Sequence, residues 1–363
     1  MTYIIDAHQD IAYNAITFNR DICISALDVR KNEKGTQIPL WNCGEAVVGW
    51  PEFQAGEIAV IFTTLWCPPW QYRGGEWDTQ SYQTTQQARI LYRKQIDYYR
   101  RLTEENPEKF TLIVNQRDLT TVLSHYEVSD EQKNRPVGLV LLMEGAEGIG
   151  APEELEEYYE LGLRQVGPVW AGNRFCGGSK EDRPFDQEGR KLLEIMASLG
   201  MALDISHMRE NAALTALDVY SGPVMASHSN SRRLLNDTGD ERHLTDHVIR
   251  RLQERCGTIG VVPYNKFLSA EWTPASAPDA VTINQLISQI DYYCQFAGNS
   301  TQVGLGTDLD GGFGYPHIPQ ELDTIKDLQK LKPALLEKGY TQEDVANIFG
   351  INWKKHLETV LPK

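Results

Sequence analysis

Eight short, β-rich apolar runs, separated by helix-patterned stretches, constrain this chain more than any other feature. The runs are YIID, IAVIFTTLW, VGLVLLMEG, LRQVGPVW, MALDIS, PVMASHS, GTIGVV and TQVGLGTD. Between most of them lie helical patterns such as TTQQARILYRKQIDYYRRLTEE, QEGRKLLEIMASLG and TINQLISQIDYYCQFAG. Strands alternating with helices imply a parallel sheet, and eight alternations suit a closed (β/α)8 barrel of the TIM type. An open doubly wound sheet is the runner-up. It needs a ligand site at a strand-order switch point, and the chain carries neither a GxGxxG nor a GxxxxGK[ST] loop. The 363 residues suit a single barrel domain spanning 1–363. Residues 20–56 and 66–82, rich in Trp, Pro and Gly, read as irregular insertions after the first two strands. The tail YTQEDVANIFGINWKKHLETVL opens with a Thr-x-x-Asp capping pattern and reads as a closing helix.

Composition narrows the function classes. Acidic residues outnumber basic ones 50 to 35, for a formal charge of -15. No dense Lys/Arg stretch interrupts that balance, which disfavours nucleic acid and anionic membrane surfaces as partners. The first residues read as a strand, not as a secretory leader, and no stretch approaches the ~18 apolar residues of a membrane span. Six scattered cysteines without a CxxC pair argue against a zinc-thiolate site and a disulfide scaffold. A reducing cytoplasm fits that pattern.

The chemistry gathers at the ends of the runs. In a (β/α)8 barrel the carboxyl rim carries function and the opposite rim serves stability. The first run leads into DAHQD, where Asp6, His8 and Asp10 alternate and an extended strand would turn all three to one side. The third run ends in Glu144, the fifth in His207, the sixth in His228 and the eighth in Asp308. Taken singly, His207 reads as a core histidine, His228 as a helix cap and Asp308 as a turn residue. Glu144 is harder to dismiss, since a carboxylate after five apolar residues is costly to bury without a partner. Together these groups read as a metal site whose imidazole and carboxylate ligands suit catalytic zinc or a similar ion.

Two divalent ions fit better than one. His8, Asp10, Glu144, His207 and His228 exceed the needs of one open tetrahedral site, and a carboxylate such as Glu144 can bridge two cations. A water shared between two cations becomes a nucleophile near neutral pH, and Asp308 is the natural group to move its proton to a leaving group. Asp6 reads as a supporting carboxylate and Asp310 as a turn residue.

These motifs resemble the membrane (renal) dipeptidase family of zinc metallopeptidases, within the wider amidohydrolase-like barrel group. DAHQD is similar to that family's DGHND, LLMEGAEGI to its bridging-Glu segment, LDISHM and SHSNSR to its two later His segments, and VGLGTDLDG to its GFGGDFDG. The resemblance covers most of the chain. It implies a binuclear zinc site with His8, Asp10 and Glu144 around one ion, Glu144, His207 and His228 around the other, and Asp308 as proton shuttle. It also implies an arginine that holds the substrate carboxylate, and the ERHLTDHVIRRL segment offers Arg242. The sequence departs from the family pattern once. Where the family carries a carbonyl-orienting His after the fourth strand, LRQVGPVWAGNRFCGG places Trp170, whose indole offers one N–H donor and no proton-transfer capacity.

The expected activity is therefore zinc-dependent hydrolysis of an amide in a dipeptide or dipeptide-like small molecule, catalysed with Asp308 and Glu144 and with Arg242 and Trp170 facing the substrate. Two alternatives stand beside it: a related hydrolase acting on another small amide, lactam or ester, and a metal-bound binding protein without activity. A homodimer stays open.

Overall fold

The computed structural model describes residues 3–127, 135–236 and 242–363. Nine strands run through them: β1 Ile4–Gln9, β2 Ile58–Trp66, β3 Phe110–Leu112, β4 Val137–Glu144, β5 Leu163–Gly167, β6 Ala202–Asp204, β7 Val224–Ala226, β8 Thr258–Val261 and β9 Val303–Leu305. Every pairing is parallel. The order β2-β1-β9-β8-β7-β6-β5-β4 closes through β2 against β4, so eight strands form the (β/α)8 barrel. The strand outside the ring is β3. It pairs Phe110–Leu112 with the first residues of β4, and β5 takes over that edge from Leu141 onward.

Both faces of the barrel wall are covered, as a parallel sheet requires. All eight residues of β4 are buried. Leu139, Leu141 and Met143 join the large cluster shared with the surrounding helices, while Val140 and Leu142 join a second with Trp353 and Leu357. That split follows the two-residue period of a strand.

The helices start where side chains satisfy their first amides. Thr84 and Gln87 form a reciprocal capping box before the helix Thr85–Glu105, as Thr282 and Gln285 do before Ile283–Ala297. The tail behaves as expected: Thr341 and Asp344 cap Gln342–Ala346, and the chain runs on into the helix Asn352–Val360. There the buried Trp353 indole donates to the Leu305 carbonyl at 2.9 Å. Gly304 leaves room for it, because a Cβ at that position would run into the indole.

Residues 20–56 are less irregular than their composition implies. They hold the helices Ala26–Glu33, Ile38–Trp41 and Trp50–Ala55. The prolines of the last two lie in the first helical turn, where the missing N–H costs nothing. Trp66 ends β2, and residues 67–82 are loop apart from one 3-10 turn at Trp70–Tyr72. No helix among the described residues is long and apolar enough to cross a membrane, and all six cysteines are free.

Candidate metal centre

His8 lies on β1 and Glu144 ends β4. Asp10, His207, His228 and Asp308 follow just beyond the ends of β1, β6, β7 and β9. All six are buried at the carboxyl rim. His207 and Asp308 adopt left-handed backbone, with φ of 67° and 55°. Such conformations cost energy outside glycine and cluster at functional sites. The Asp308 amide also donates to the His8 carbonyl at 3.1 Å, which ties the last strand's loop to the first strand.

The two oxygens of Glu144 divide between two groups of imidazoles. Oε2 lies 3.4 Å from His8 Nε2, whereas Oε1 lies 2.7 Å from His207 Nε2 and 3.5 Å from His228 Nε2. The His207 and His228 Nε2 atoms are 2.9 Å apart. Potential ligand atoms of His8, Glu144 and His228 lie within 4.8 Å of one another, and so do those of His8, Asp10 and Asp308. Asp6 does not join them. Its carboxylate accepts from the Thr307 amide and hydroxyl and from Gln9 Nε2, because the pairing of β1 with β2 shifts register between Asp6 and Gln9 and breaks the simple alternation.

Electrostatics sort the groups by role. Burial pushes the His207 imidazole down to about 4, with the Arg242 charge adding to it against the opposing pull of Glu144. Burial likewise drives His228 well below the ordinary range. Burial would lower His8 too, but the combined carboxylates of Glu144, Asp308 and Asp10 lift it to about 10. Burial works to raise Glu144, yet His8 and His207 hold it well below the carboxylate range. Asp10 rises to about 6 through burial and the Glu144 charge.

Two neutral imidazoles, one ionised carboxylate and a buried His8 Nε2 without a hydrogen-bond partner form an oxygen–nitrogen donor set suited to a divalent ion. A cation there would balance the negative charge that Glu144, Asp10 and Asp308 bring together.

Sequence reasoning missed the groups that aim these rings. The Ser227 hydroxyl lies 2.8 Å from His228 Nδ1 and 3.4 Å from His8 Nδ1, and it is held by Asp204 from the end of β6. Outer partners of this kind fix which ring nitrogen faces the ligand site. The signal was the Asp in LDIS, passed over beside its histidine. Thr64 donates to the Asp10 carboxylate. Asp310, expected as a turn residue, has φ 65° but also accepts from the Val47 and Val48 amides and lies 3.5 Å from Arg20. Glu147 was missed as well. It is buried, lifted to about 7 by that burial, and accepts from Asn173 and Tyr92.

A cavity of about 310 Å³ opens over the cluster and is lined by Asp10, Glu144, His207, Asp308, Arg242 and Trp170, among others. Arg242 is no exposed helix-start charge. It is buried and donates to the His228 carbonyl at 2.7 Å and to Ser229 Oγ at 3.1 Å. Trp170 stands in the wall after β5, its ring 6.0 Å from that of His207 and 5.3 Å from that of Trp66.

A closed parallel barrel with buried imidazoles and carboxylates around a cavity at its carboxyl rim has the build of a metal-dependent hydrolase. The chain belongs to the membrane dipeptidase family, peptidase family M19, which matches it over residues 1–361. The resemblance read from the motifs is borne out, and the reading as a binding protein without activity falls away.

The chain is 30% identical over 252 residues to an uncharacterised protein of the pqqA 5' region of Klebsiella pneumoniae, covering 67% of this chain and 89% of that one. It is 28% identical over 225 residues to dipeptidase tcpJ of Claviceps purpurea, covering 60% of this chain and 50% of that one. Among solved structures, the M19 metallopeptidase dipeptidase AC matches with a TM-score of 0.80 at 22% identity, covering 100% of this chain and 99% of that one. A metallopeptidase from Rhodobacter sphaeroides, solved with a phosphinate mimic of L-Ala-D-Ala, gives 0.78 at 21% identity, covering 99% and 100%. These two likenesses show the fold.

Proposed function

We propose that the chain cleaves the amide bond of a dipeptide or close analogue with two divalent ions, zinc by the chemistry of the donor set, held by His8, Asp10 and Glu144 on one side and Glu144, His207 and His228 on the other. The observation that carries this reading is the division of the Glu144 oxygens between His8 and the His207–His228 pair. When bound, the ions supply Lewis acidity toward the carbonyl and toward water.

The chain's own residues do the rest. Arg242 holds the substrate carboxylate with a charge-assisted contact at the cavity wall. Asp308, which lines the cavity beside His8 and Asp10, takes a proton from the attacking water and delivers it to the departing amine. Ser227 and Asp204 keep the imidazoles aimed. The six free cysteines support a reducing compartment, the cytoplasm.

A second reading, hydrolysis of another small amide, lactam or ester by the same cluster, is favoured by Trp170, whose indole replaces a carbonyl-orienting imidazole. The experiment is elemental analysis and a dipeptide panel on wild type and Glu144→Gln. Two ions per wild-type chain, dipeptide cleavage, and loss of both metal and rate in Glu144→Gln are expected. Glu144→Gln with two metals and unchanged turnover refutes the bridge, and a zinc-loaded wild type inert toward every dipeptide refutes the substrate.

A further inference from the structure

The cavity is lopsided, and the lopsidedness points to a substrate class. The barrel order places Arg242, after β7, and Tyr264, after β8, across the mouth from the loop that follows β2. Tyr13, Phe18 and Trp41 from the segments after β1, with Trp66, Tyr72 and Trp77 from the end of β2 and its loop, line the cavity. Five of these rings form a connected wall, which Tyr72 joins through Trp170, 6.3 Å from Tyr72 and 5.3 Å from Trp66. Tyr13 meets Trp66 at 4.7 Å and Phe18 at 6.3 Å, Phe18 meets Trp77 at 5.3 Å, and Trp77 stacks on Trp41 at 5.4 Å with 8° between the planes. The wall begins at the reacting centre, because Trp66 pairs in register with Glu144. It ends at the mouth, where Trp41 and Tyr72 remain 41% and 39% exposed. Large apolar side chains left open at the rim of a cavity mark a surface built to be covered.

The Arg242 side carries fewer rings. Tyr264 stacks on Phe313 at 4.3 Å, and Phe267 lies under Arg242 at 5.7 Å. Asp78, whose carboxylate accepts from the Gly74 and Gln80 amides, lines the cavity beside the rings of the wall.

We infer that this wall is the subsite for the amino-terminal residue and that it selects a planar aromatic side chain there. The inference rests on the dipeptidase reading, which fixes the carboxylate at Arg242 and so sends the amino-terminal residue across the mouth. Fixed ring faces and edges reward a flat partner over a flexible aliphatic one.

The test is kcat/KM of the metal-loaded enzyme for Phe-Ala, Trp-Ala, Ala-Ala and Ala-Phe, each with an L- and a D-residue at the carboxyl end. Phe-Ala and Trp-Ala exceed Ala-Ala by roughly tenfold or more, and Ala-Phe shows no such gain. Trp41→Ala and Tyr72→Ala, at partly exposed rim positions, shrink the Phe-Ala to Ala-Ala ratio toward one. Cleavage of all four dipeptides with a ratio near one, or an equal gain for Ala-Phe, overturns the subsite and leaves the dipeptidase reading standing. If no dipeptide is cleaved, the dipeptidase reading falls. The subsite is then decided by tryptophan fluorescence titration of the intact protein with the uncleaved Phe-Ala and Ala-Ala: tighter binding of Phe-Ala that Trp41→Ala abolishes supports it, and equal binding overturns it.

Discussion

Asp6 accepts hydrogen bonds from both the amide and the hydroxyl of Thr307, at 2.7 and 2.6 Å, across 301 residues of sequence. The bond pair locks the loop after β9 onto β1, one residue before Asp308. Asp308 is therefore presented by buried scaffold, which is what a proton-transfer group needs to keep its reach. Asp308→Asn should keep its metal, measured by elemental analysis, while turnover falls by ~100-fold or more. Turnover like wild type removes Asp308 from the mechanism.

Arg242 reads a charge, so its loss should depend on whether that charge is present. Arg242→Ala is expected to raise KM for free dipeptides by about tenfold or more while changing it far less for carboxyl-amidated analogues. Steady-state kinetics on matched pairs measure this. Equal effects on both show that Arg242 acts only through its bonds to Ser229 and the His228 carbonyl.

The barrel and the ligand cluster were legible because both follow from periodicity: eight apolar runs became eight ring strands, and the polar residue closing a run reached the rim. Phe110–Leu112 escaped because three residues carry no period, and its pairing depends on where β5 begins. Asp204 and Ser227 escaped for another reason. A buried acid hydrogen-bonded to a serine has the same local sequence whether or not that serine aims an imidazole. The aromatic wall was out of reach altogether, since Tyr13, Trp41 and Trp77 meet only after the loops from β1 and β2 have folded over one mouth.

Trp170 tests how far the substrate shell differs from that of ordinary dipeptidases. One preorganised donor to a developing oxyanion is worth several kcal/mol, so wild type should hydrolyse L,L-dipeptides slowly despite a full metal complement. Trp170→His should raise that turnover without altering metal content. An unchanged substrate profile in the variant, or brisk wild-type hydrolysis of simple L,L-dipeptides, leaves Trp170 as a wall residue only.

His356, on the closing helix beside Trp353 and Phe62, gives the fold an acid limit. It is buried, and that burial lowers its imidazole from 6.5 to about 4, with Gln165 at 3.1 Å as its neighbour. The unfolded chain binds this proton near pH 6.5 and the folded chain does not until about pH 4, so stability is full above pH 6.5 and declines as pH falls between the two. The gap corresponds to about 3 kcal/mol. Chemical denaturation at pH 7 and pH 5 should show a smaller loss for His356→Gln than for wild type. Parallel losses in the two proteins refute the assignment.

The register of Trp66 against Glu144 has a consequence for how such a chain changes trade. The loop after β2 leaves the barrel level with the candidate ligand cluster, so residues 67–82 shape the cavity without supplying any of its candidate metal ligands. A graft of residues 67–82, with its seam at the end of β2, would replace Tyr72 and Trp77 and leave Tyr13, Phe18, Trp41 and Trp66 of the wall in place.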